Sequence, residues 1–219
     1  MTPECYEPKH NPSKYTSIAK NWLDEDPIFL DTETSGLDDS AEIVEIGIID
    51  INGEPLLETF IKPYNPIPEE ATNIHGITND MVKDAPYWSE IHEQFCSIIK
   101  DRTLIIYNRG YDVRLIDQTI KASIENKAMK EEAQDWDKDQ RILCAMKLFA
   151  AYYGMWDEYH EDWKWQKLTA AADYMNVKTE GKAHRAVTDC LMTLGIVQAM
   201  GEQATKEIEK NREKRKARA

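Results

Sequence analysis

The sequence predicts an α/β fold, a mixed central sheet with helices packed against it, and three observations carry that prediction. Glu42–Ile51 (EIVEIGIIDI) and Glu54–Ile61 (EPLLETFI) are strand-like runs joined by Asn52-Gly53, the strongest short hairpin signal a sequence offers. Ile28-Phe29-Leu30 is a buried-strand run just before them, so three consecutive antiparallel strands are expected. After Pro63 the pattern changes to helices alternating with a strand, which adds parallel strands covered by helices. A chain of 219 residues, 42% hydrophobic, supports one sizeable core rather than two.

The elements follow in order. Residues 1–15 contain Pro3, Pro8 and Pro12 and read as a loose arm, followed by a short helix over Ser17–Leu23. Pro55 suits an edge strand better than a central one. Pro63, Pro66 and Pro68 end the sheet pattern, and a short helix is expected from Pro68 to Asn73. Ser89 is a good N-cap for a helix to about Lys100 that turns Ile91, Phe95, Ile98 and Ile99 inward. Thr103–Tyr107 (TLIIY) reads as a strand, and Asp112 opens a helix carrying Leu115, Ile116, Thr119 and Ile120 at helical spacing. Glu125–Arg141 is charged helix or loop. Ile142–Tyr153 reads as a helix stopped by Gly154. Residues 155–167 read as a long loop, 168–175 as a helix and 176–183 as a loop. Arg185–Met200 is amphipathic, with Ala186, Val187, Cys190, Leu191, Leu194 and Val197 inward.

The net charge of −13 argues against a surface that coats nucleic acid by bulk attraction. From Lys206 onward, however, seven Lys/Arg face three Glu, and a basic segment can hold a strand while cations neutralise an acidic site. Cys5, Cys96, Cys144 and Cys190 are widely spaced, which disfavours a disulfide framework or a zinc ribbon. Cys144 and Cys190 lie on apolar faces and read as small buried hydrophobes. No signal-peptide core or membrane-length apolar run occurs, so a cytoplasmic location is expected.

Chemistry concentrates at a few acids. Residues two apart on a strand share a face, so Asp31 and Glu33 stand together at the strand's C-terminal end, before the Ser35-Gly36 turn. Paired carboxylates raise each other's pKa unless positive charge intervenes, and a divalent cation supplies it. Asp112 follows a buried strand in YNRGYD, and His184 and Asp189 fall in HRAVTD at the entrance to the last long helix. Five residues is about 140° around a helix, so His184 belongs in the loop before that helix and Asp189 in its first turns. Each residue taken singly also fits a plain role: Asp112 as a helix N-cap, His184 as an exposed loop histidine, Asp189 as a solvated acid.

Jointly, DTETSGL (31–37), YNRGYD (107–112) and HRAVTD (184–189) resemble the motifs of the DnaQ-like 3′–5′ exonucleases of the DEDD superfamily, in the DEDDh subtype whose last motif carries histidine. IHGIT (74–78) resembles the family segment lining the substrate cleft. The second motif departs from the family pattern: Tyr107 stands for His, Arg109 for Ala and Tyr111 for Phe. The resemblance implies an RNase H-like fold, a DEDDh domain over 27–201, an arm and short helix before it, and a basic tail over 202–219. It implies Asp31, Glu33, Asp112 and Asp189 as ligands of two Mg²⁺ or Mn²⁺ ions, Asp31 bridging both. His184 is implied as the general base, imidazole titrating ordinarily near ~6.5.

Thr34, Leu37, His75, Asn108 and Arg109 are the expected substrate contacts: Leu37 resembles the family residue that wedges against the terminal base or is plain packing, His75 meets the sugar-phosphate or only hydrogen-bonds within its turn, and Arg109 binds phosphate or is simply solvated. Glu45 falls near the acids by the hairpin register and can support them. Trp156, Trp163 and Trp165 are either base-stacking rings or core packing for their own segment. The expected partner is single-stranded nucleic acid with a free 3′ end, DNA ahead of RNA. The alternatives are a small-RNA trimming exoribonuclease and a proofreading or binding subunit beside a separate polymerase; no protein partner is indicated.

Overall fold

The computed structural model describes residues 10–179 and 184–216. Expectations for residues 1–9, 180–183 and 217–219 lie outside the described residues. Helix α1 (Pro12–Leu23) precedes strands β1 (Ile28–Thr34), β2 (Ile43–Ile49) and β3 (Pro55–Phe60). Helices α2 (Glu69–His75), α3 (Asn79–Val82) and α4 (Trp88–Ile99) lead to β4 (Leu104–Ile106) and α5 (Arg109–Glu125). A 3₁₀ turn at Glu131–Asp135 precedes β5 (Ile142–Cys144) and α6 (Ala145–Tyr153). The small strands β6 (Trp156–Asp157) and β7 (Asp162–Trp163), then α7 (Leu168–Tyr174) and α8 (Ala186–Lys216), complete the chain.

The main sheet runs β3-β2-β1-β4-β5. β1–β2 and β2–β3 are antiparallel, whereas β1–β4 and β4–β5 are parallel. This is the mixed α/β sheet of the RNase H-like fold. The Asn52-Gly53 turn forms with Gly53 at φ 85, and Pro55 lies on the edge strand, where its missing N–H costs no ladder bond.

Strand alternation divides the core between the two faces. Ile28, Leu30, Ile46, Ile48, Leu104 and Ile106 face α4 and α5, against Trp88, Phe95, Leu115 and Ile116. Phe29, Ile49 and Ile105 face the other way, against Ala19 of α1, Phe149 of α6 and Cys190, Ile196 and Val197 of α8. Each such fully buried side chain contributes roughly 1.5–3 kcal/mol.

Several local expectations are corrected. The first helix starts at Pro12, not Ser17: proline at a first helical position has the right φ and loses no bond there. Tyr87, not Ser89, is the N-cap of α4, and its N–H donates to Glu90 Oε2 at 2.7 Å. Asn108, not Asp112, is the N-cap of α5, leaving Asp112 one turn inside. Ile142–Tyr153 is not one helix, because Ile142–Cys144 pairs in parallel with Leu104–Ile106; a three-residue buried strand abutting a helix has no period of its own to read. Residues 155–167 are not a plain loop, since Trp156-Asp157 pairs with Asp162-Trp163. Cys144 is only half-buried, its thiol directed at the Tyr107 carbonyl at 3.3 Å.

One glycine fixes where α8 begins. Gly47 on β2 pairs with Asp31 on β1, and a Cβ at Gly47 would lie 2.7 Å from Val187 N and 2.8 Å from Ala186 C. The first turn of α8 is therefore pressed backbone-to-backbone onto the strand beside Asp31, a close approach only glycine permits.

Candidate active site

The carboxylates arrive from both faces of the sheet. Asp31 and Glu33 share the β1 face that meets α8, whose first turns carry Asp189. Asp112 comes from α5 on the opposite face, only 3% exposed, where the Thr32 hydroxyl donates to its Oδ1 at 2.8 Å. Thr32 points away from Asp31 and Glu33 by strand alternation, so one strand end serves both faces. His184 stands just before α8 in the left-handed conformation, φ 64, where a β-substituted residue holds about 1 kcal/mol or more of strain.

Glu33, His184 and Asp189 each offer a ligand atom, and these atoms lie within 4.8 Å of one another. Asp31 and Asp112 stand outside that tight group, but their charges are felt within it. Burial, then Asp112, Asp189, Glu33 and Glu45, push the Asp31 carboxyl well above its usual range. Burial, then Asp189 and Glu45, raise Glu33 to about 8, with Arg185 opposing. Burial raises Asp112 to about 7 despite the Thr32 hydrogen bond. Burial also raises Asp189, which the neighbouring His184 opposes.

These residues fit a divalent cation on a structural test. Asp189 Oδ1 is buried and has no hydrogen-bond partner among the described residues. A buried acceptor without a donor costs about 1–3 kcal/mol or more, and a cation removes that cost. Carboxylate-rich donors suit hard cations such as Mg²⁺ or Mn²⁺. The cluster is a candidate divalent-metal site.

Glu45 pairs in register with Glu33 yet is not a free fifth acid. Arg185 Nη2 lies 2.6 Å from its Oε1, Arg185 Nε also donates to it, and the Ala186 N–H donates to Oε2 at 3.1 Å. The Glu45 side chain is buried and Arg185 partly exposed. This bidentate pair locks the entry to α8, and with it Asp189, against β2. Arg185→Met is expected to lower stability by roughly 2–3 kcal/mol, below the ~3–5 of a wholly buried pair, because it strands the Glu45 charge. Urea unfolding of Arg185→Met and of Arg185→Met with Glu45→Gln measures it; the double variant should recover part of the loss.

The expected substrate contacts separate into two groups. Thr34, Leu37 and His75 line one cavity of about 390 Å³ together with Glu33, Ile74 and Tyr111. Leu37 is 78% exposed at its mouth. His75 is buried: its Nδ1 accepts from the Ile77 N–H at 2.9 Å, so Nε2 carries the proton and donates to the Thr34 carbonyl at 3.2 Å. Burial holds its pKa below the usual value. Asn108 and Arg109 are exposed and line a different cavity of about 470 Å³ beside α5 and α6.

Tyr111, unexpected as a site residue, shapes the first cavity: its hydroxyl lies 2.6 Å from Thr34 Oγ1 and donates to the Gly36 carbonyl at 3.1 Å. Its replacement of the family's Phe was the signal. Thr32 had none, being one polar residue on the strand's far face.

The RNase T family profile, described as Exonuclease, matches residues 28–197. The chain belongs to this family, the DnaQ-like DEDD exonucleases. An uncharacterized exonuclease of Escherichia phage 186 is 48% identical over 182 residues, covering 83% of this chain and 91% of the relative. The DNA polymerase III subunit epsilon of Buchnera aphidicola subsp. Schizaphis graminum is 39% identical over 131 residues, 55% of this chain and 54% of that one, so this exonuclease spans about half the length of such subunits. In structure it is similar to exonuclease X in complex with 5′ overhanging duplex DNA, at a TM-score of 0.57 and 22% identity, covering 80% of this chain and 91% of that one. The exonuclease acts on nucleic acid by hydrolysis. Among the described residues, no helix is long and apolar enough to cross a membrane.

Proposed function

We propose that this exonuclease removes nucleotides from the free 3′ end of single-stranded nucleic acid, DNA ahead of RNA, releasing nucleoside 5′-monophosphates. The observation that carries the reading is the Glu33, His184 and Asp189 cluster, with Asp31 and Asp112 near enough for their charges to act on it, beside a cavity of about 390 Å³ that Glu33 lines, one Asp189 oxygen being buried without a partner among the described residues. Asp31, Glu33, Asp112 and Asp189 would hold two Mg²⁺ or Mn²⁺ ions. When bound, such ions supply positive charge that eases the ionisation of water and offsets charge on the leaving oxygen. Two fold relatives support the substrate class: E. coli exonuclease I in complex with a dT13 oligonucleotide, and exonuclease X in complex with 5′ overhanging duplex DNA.

The chain's own residues do the rest. The terminal nucleoside enters the cavity of Thr34, Leu37 and Tyr111, with the Leu37 side chain against its base. His75, neutral and held by two backbone groups, keeps the Thr34 end of β1 in place. His184 takes the proton as water oxygen bonds to the scissile phosphorus; the P–O3′ bond breaks, and the new 3′ oxygen is protonated from solvent. Arg109 meets a phosphate outside this cavity.

A 5′-labelled single strand with Mn²⁺ should give a ladder that shortens from its 3′ end; a first product cut internally would defeat the assignment. His184→Ala is expected to cut kcat by ~10²–10⁴-fold with little change in KM, read from steady-state kinetics on the labelled strand. A second reading, proofreading beside a separate polymerase, is favoured by the epsilon-subunit relatives; co-purification of a polymerase tests it. Matched DNA and RNA oligomers test the sugar preference.

A further inference from the structure

Large apolar side chains stand exposed at several places. Trp165 is 60% exposed beside the β6–β7 hairpin, in which Trp156 and Trp163 pack edge-to-face, and Leu37 is 78% exposed in the loop between β1 and β2. Single exposed residues of this kind are ordinary. Leu37 differs in how tightly its backbone is held.

One stripe of α5 does the holding. Tyr111, Arg114 and Gln118 stand at i, i+3 and i+7 and fall within about 60° of one another around the helix. The Tyr111 hydroxyl donates to the Gly36 carbonyl at 3.1 Å and Arg114 Nη2 to the Leu37 carbonyl at 3.4 Å. Gln118 Nε2 donates to the Asp38 and Ala41 carbonyls at 3.0 and 2.9 Å. The three also brace one another. The Arg114 guanidinium lies over the Tyr111 ring, 5.4 Å from its centroid, and Arg114 Nη1 donates to Gln118 Oε1 at 2.6 Å, which turns the Gln118 amide N–H groups toward the loop. From within, the Ser40 N–H donates to Asp38 Oδ1 at 2.7 Å and the Ser35 N–H to the Glu42 carbonyl at 2.8 Å. An exposed leucine thus stands on a fixed frame. The same helix delivers Asp112, whose Oδ1 accepts from Thr32, so α5 sets the spacing between Leu37 and the acids.

We propose that Tyr111, Arg114 and Gln118 are positioning residues that hold Leu37 where the terminal base arrives. The inference rests on the reading above in which Leu37 meets that base. A loop that orders only on binding weakens affinity by what the ordering costs; here α5 has ordered it beforehand. Phenylalanine, usual in the family where Tyr111 stands, has no donor for the Gly36 carbonyl, so that tie belongs to this chain.

The test is steady-state kinetics on a single-stranded oligomer in Mn²⁺, in a cycle that pairs Gln118→Met with Leu37→Ala in the full chain. Gln118→Met is expected to raise KM about tenfold and leave kcat within about threefold, as a loss of binding shared by ground and transition states does. Leu37→Ala is expected to raise KM by about the same factor. The double variant should be no worse, because loosening the loop is silent once its side chain is gone. Tyr111→Phe keeps the ring and should show the same pattern at about threefold; it decides the matter if Gln118→Met does not melt cooperatively. Unchanged KM, losses that multiply with Leu37→Ala, or a fall in kcat at unchanged KM overturns the proposal. Bis(p-nitrophenyl) phosphate carries no base, so wild type and Gln118→Met should hydrolyse it alike; an equal loss there overturns the proposal too. If wild type cleaves neither that ester nor the oligomer, the exonuclease reading falls and the positioning role with it. If wild type shortens the oligomer but Leu37→Ala leaves KM unchanged, or the losses multiply, only the role of the α5 stripe toward the base falls.

Discussion

Asp31→Asn is expected to abolish exonuclease activity and yet to raise the melting temperature of the metal-free protein at pH 8. Losing positive charge that faces the developing negative charge of the reaction costs on the order of 10³-fold in rate, and Asp31 is one of the carboxylates that would hold the cations supplying it. The same carboxyl is raised well above its usual range, first by burial and then by repulsion from Asp112, Asp189, Glu33 and Glu45. An amide of equal size removes that repulsion. Relief of one or two kcal/mol amounts to roughly 3–8 °C in a chain of this length. At pH 5 the gain should shrink, because burial and the neighbouring acids favour the protonated form of the wild-type carboxyl in the fold. Differential scanning fluorimetry in chelator at both pH values, beside an oligonucleotide assay in Mn²⁺, reads both halves. Activity within tenfold of wild type, or a lower melting temperature at pH 8, contradicts the reading of Asp31 as a metal ligand repelled by the neighbouring acids.

Metal removal gives the second large effect. In chelator the wild-type protein should lose stability steadily from about pH 5 to pH 8. Glu33 at about 8 and Asp112 at about 7 bind protons in the fold that the unfolded chain releases nearer ~4. The folded state therefore binds more protons across this window, and stability falls as pH rises through the folded values. The loss is complete above about pH 8. Mn²⁺ competes with those protons, so its stabilisation should be large at pH 8 and small at pH 5. At a hundredfold excess over Kd it is worth about 2.7 kcal/mol, or roughly 5–10 °C. A melting temperature flat with pH in chelator, or an equal Mn²⁺ shift at both pH values, defeats the account.

Much of this was legible in the residues because its signals are local. Asn52-Gly53, the apolar runs of β1 and β2 and the helical repeat of Leu115, Ile116 and Ile120 each carry their own signal, and each element formed. The order of the acids was legible because the motifs are short and contiguous. What escaped depends on tertiary partners. β5 is three residues that become a strand only by pairing with β4. The Glu45–Arg185 lock joins residues 140 apart, and nothing in either segment names the other. The β6–β7 hairpin has only two residues per strand, too few for a period, so its three tryptophans could not be sorted until their exposure was known.

The seating of α8 on Gly47 has a consequence for biosynthesis. Asp31 and Glu33 emerge from the ribosome well before Asp189, in the first turn of α8, and His184, just ahead of it. The first turn of that element must land on β2 before the acids can come together. A chain halted before Ala186–Lys216 thus carries only part of the acid cluster. The cluster is assembled only once that helix has docked.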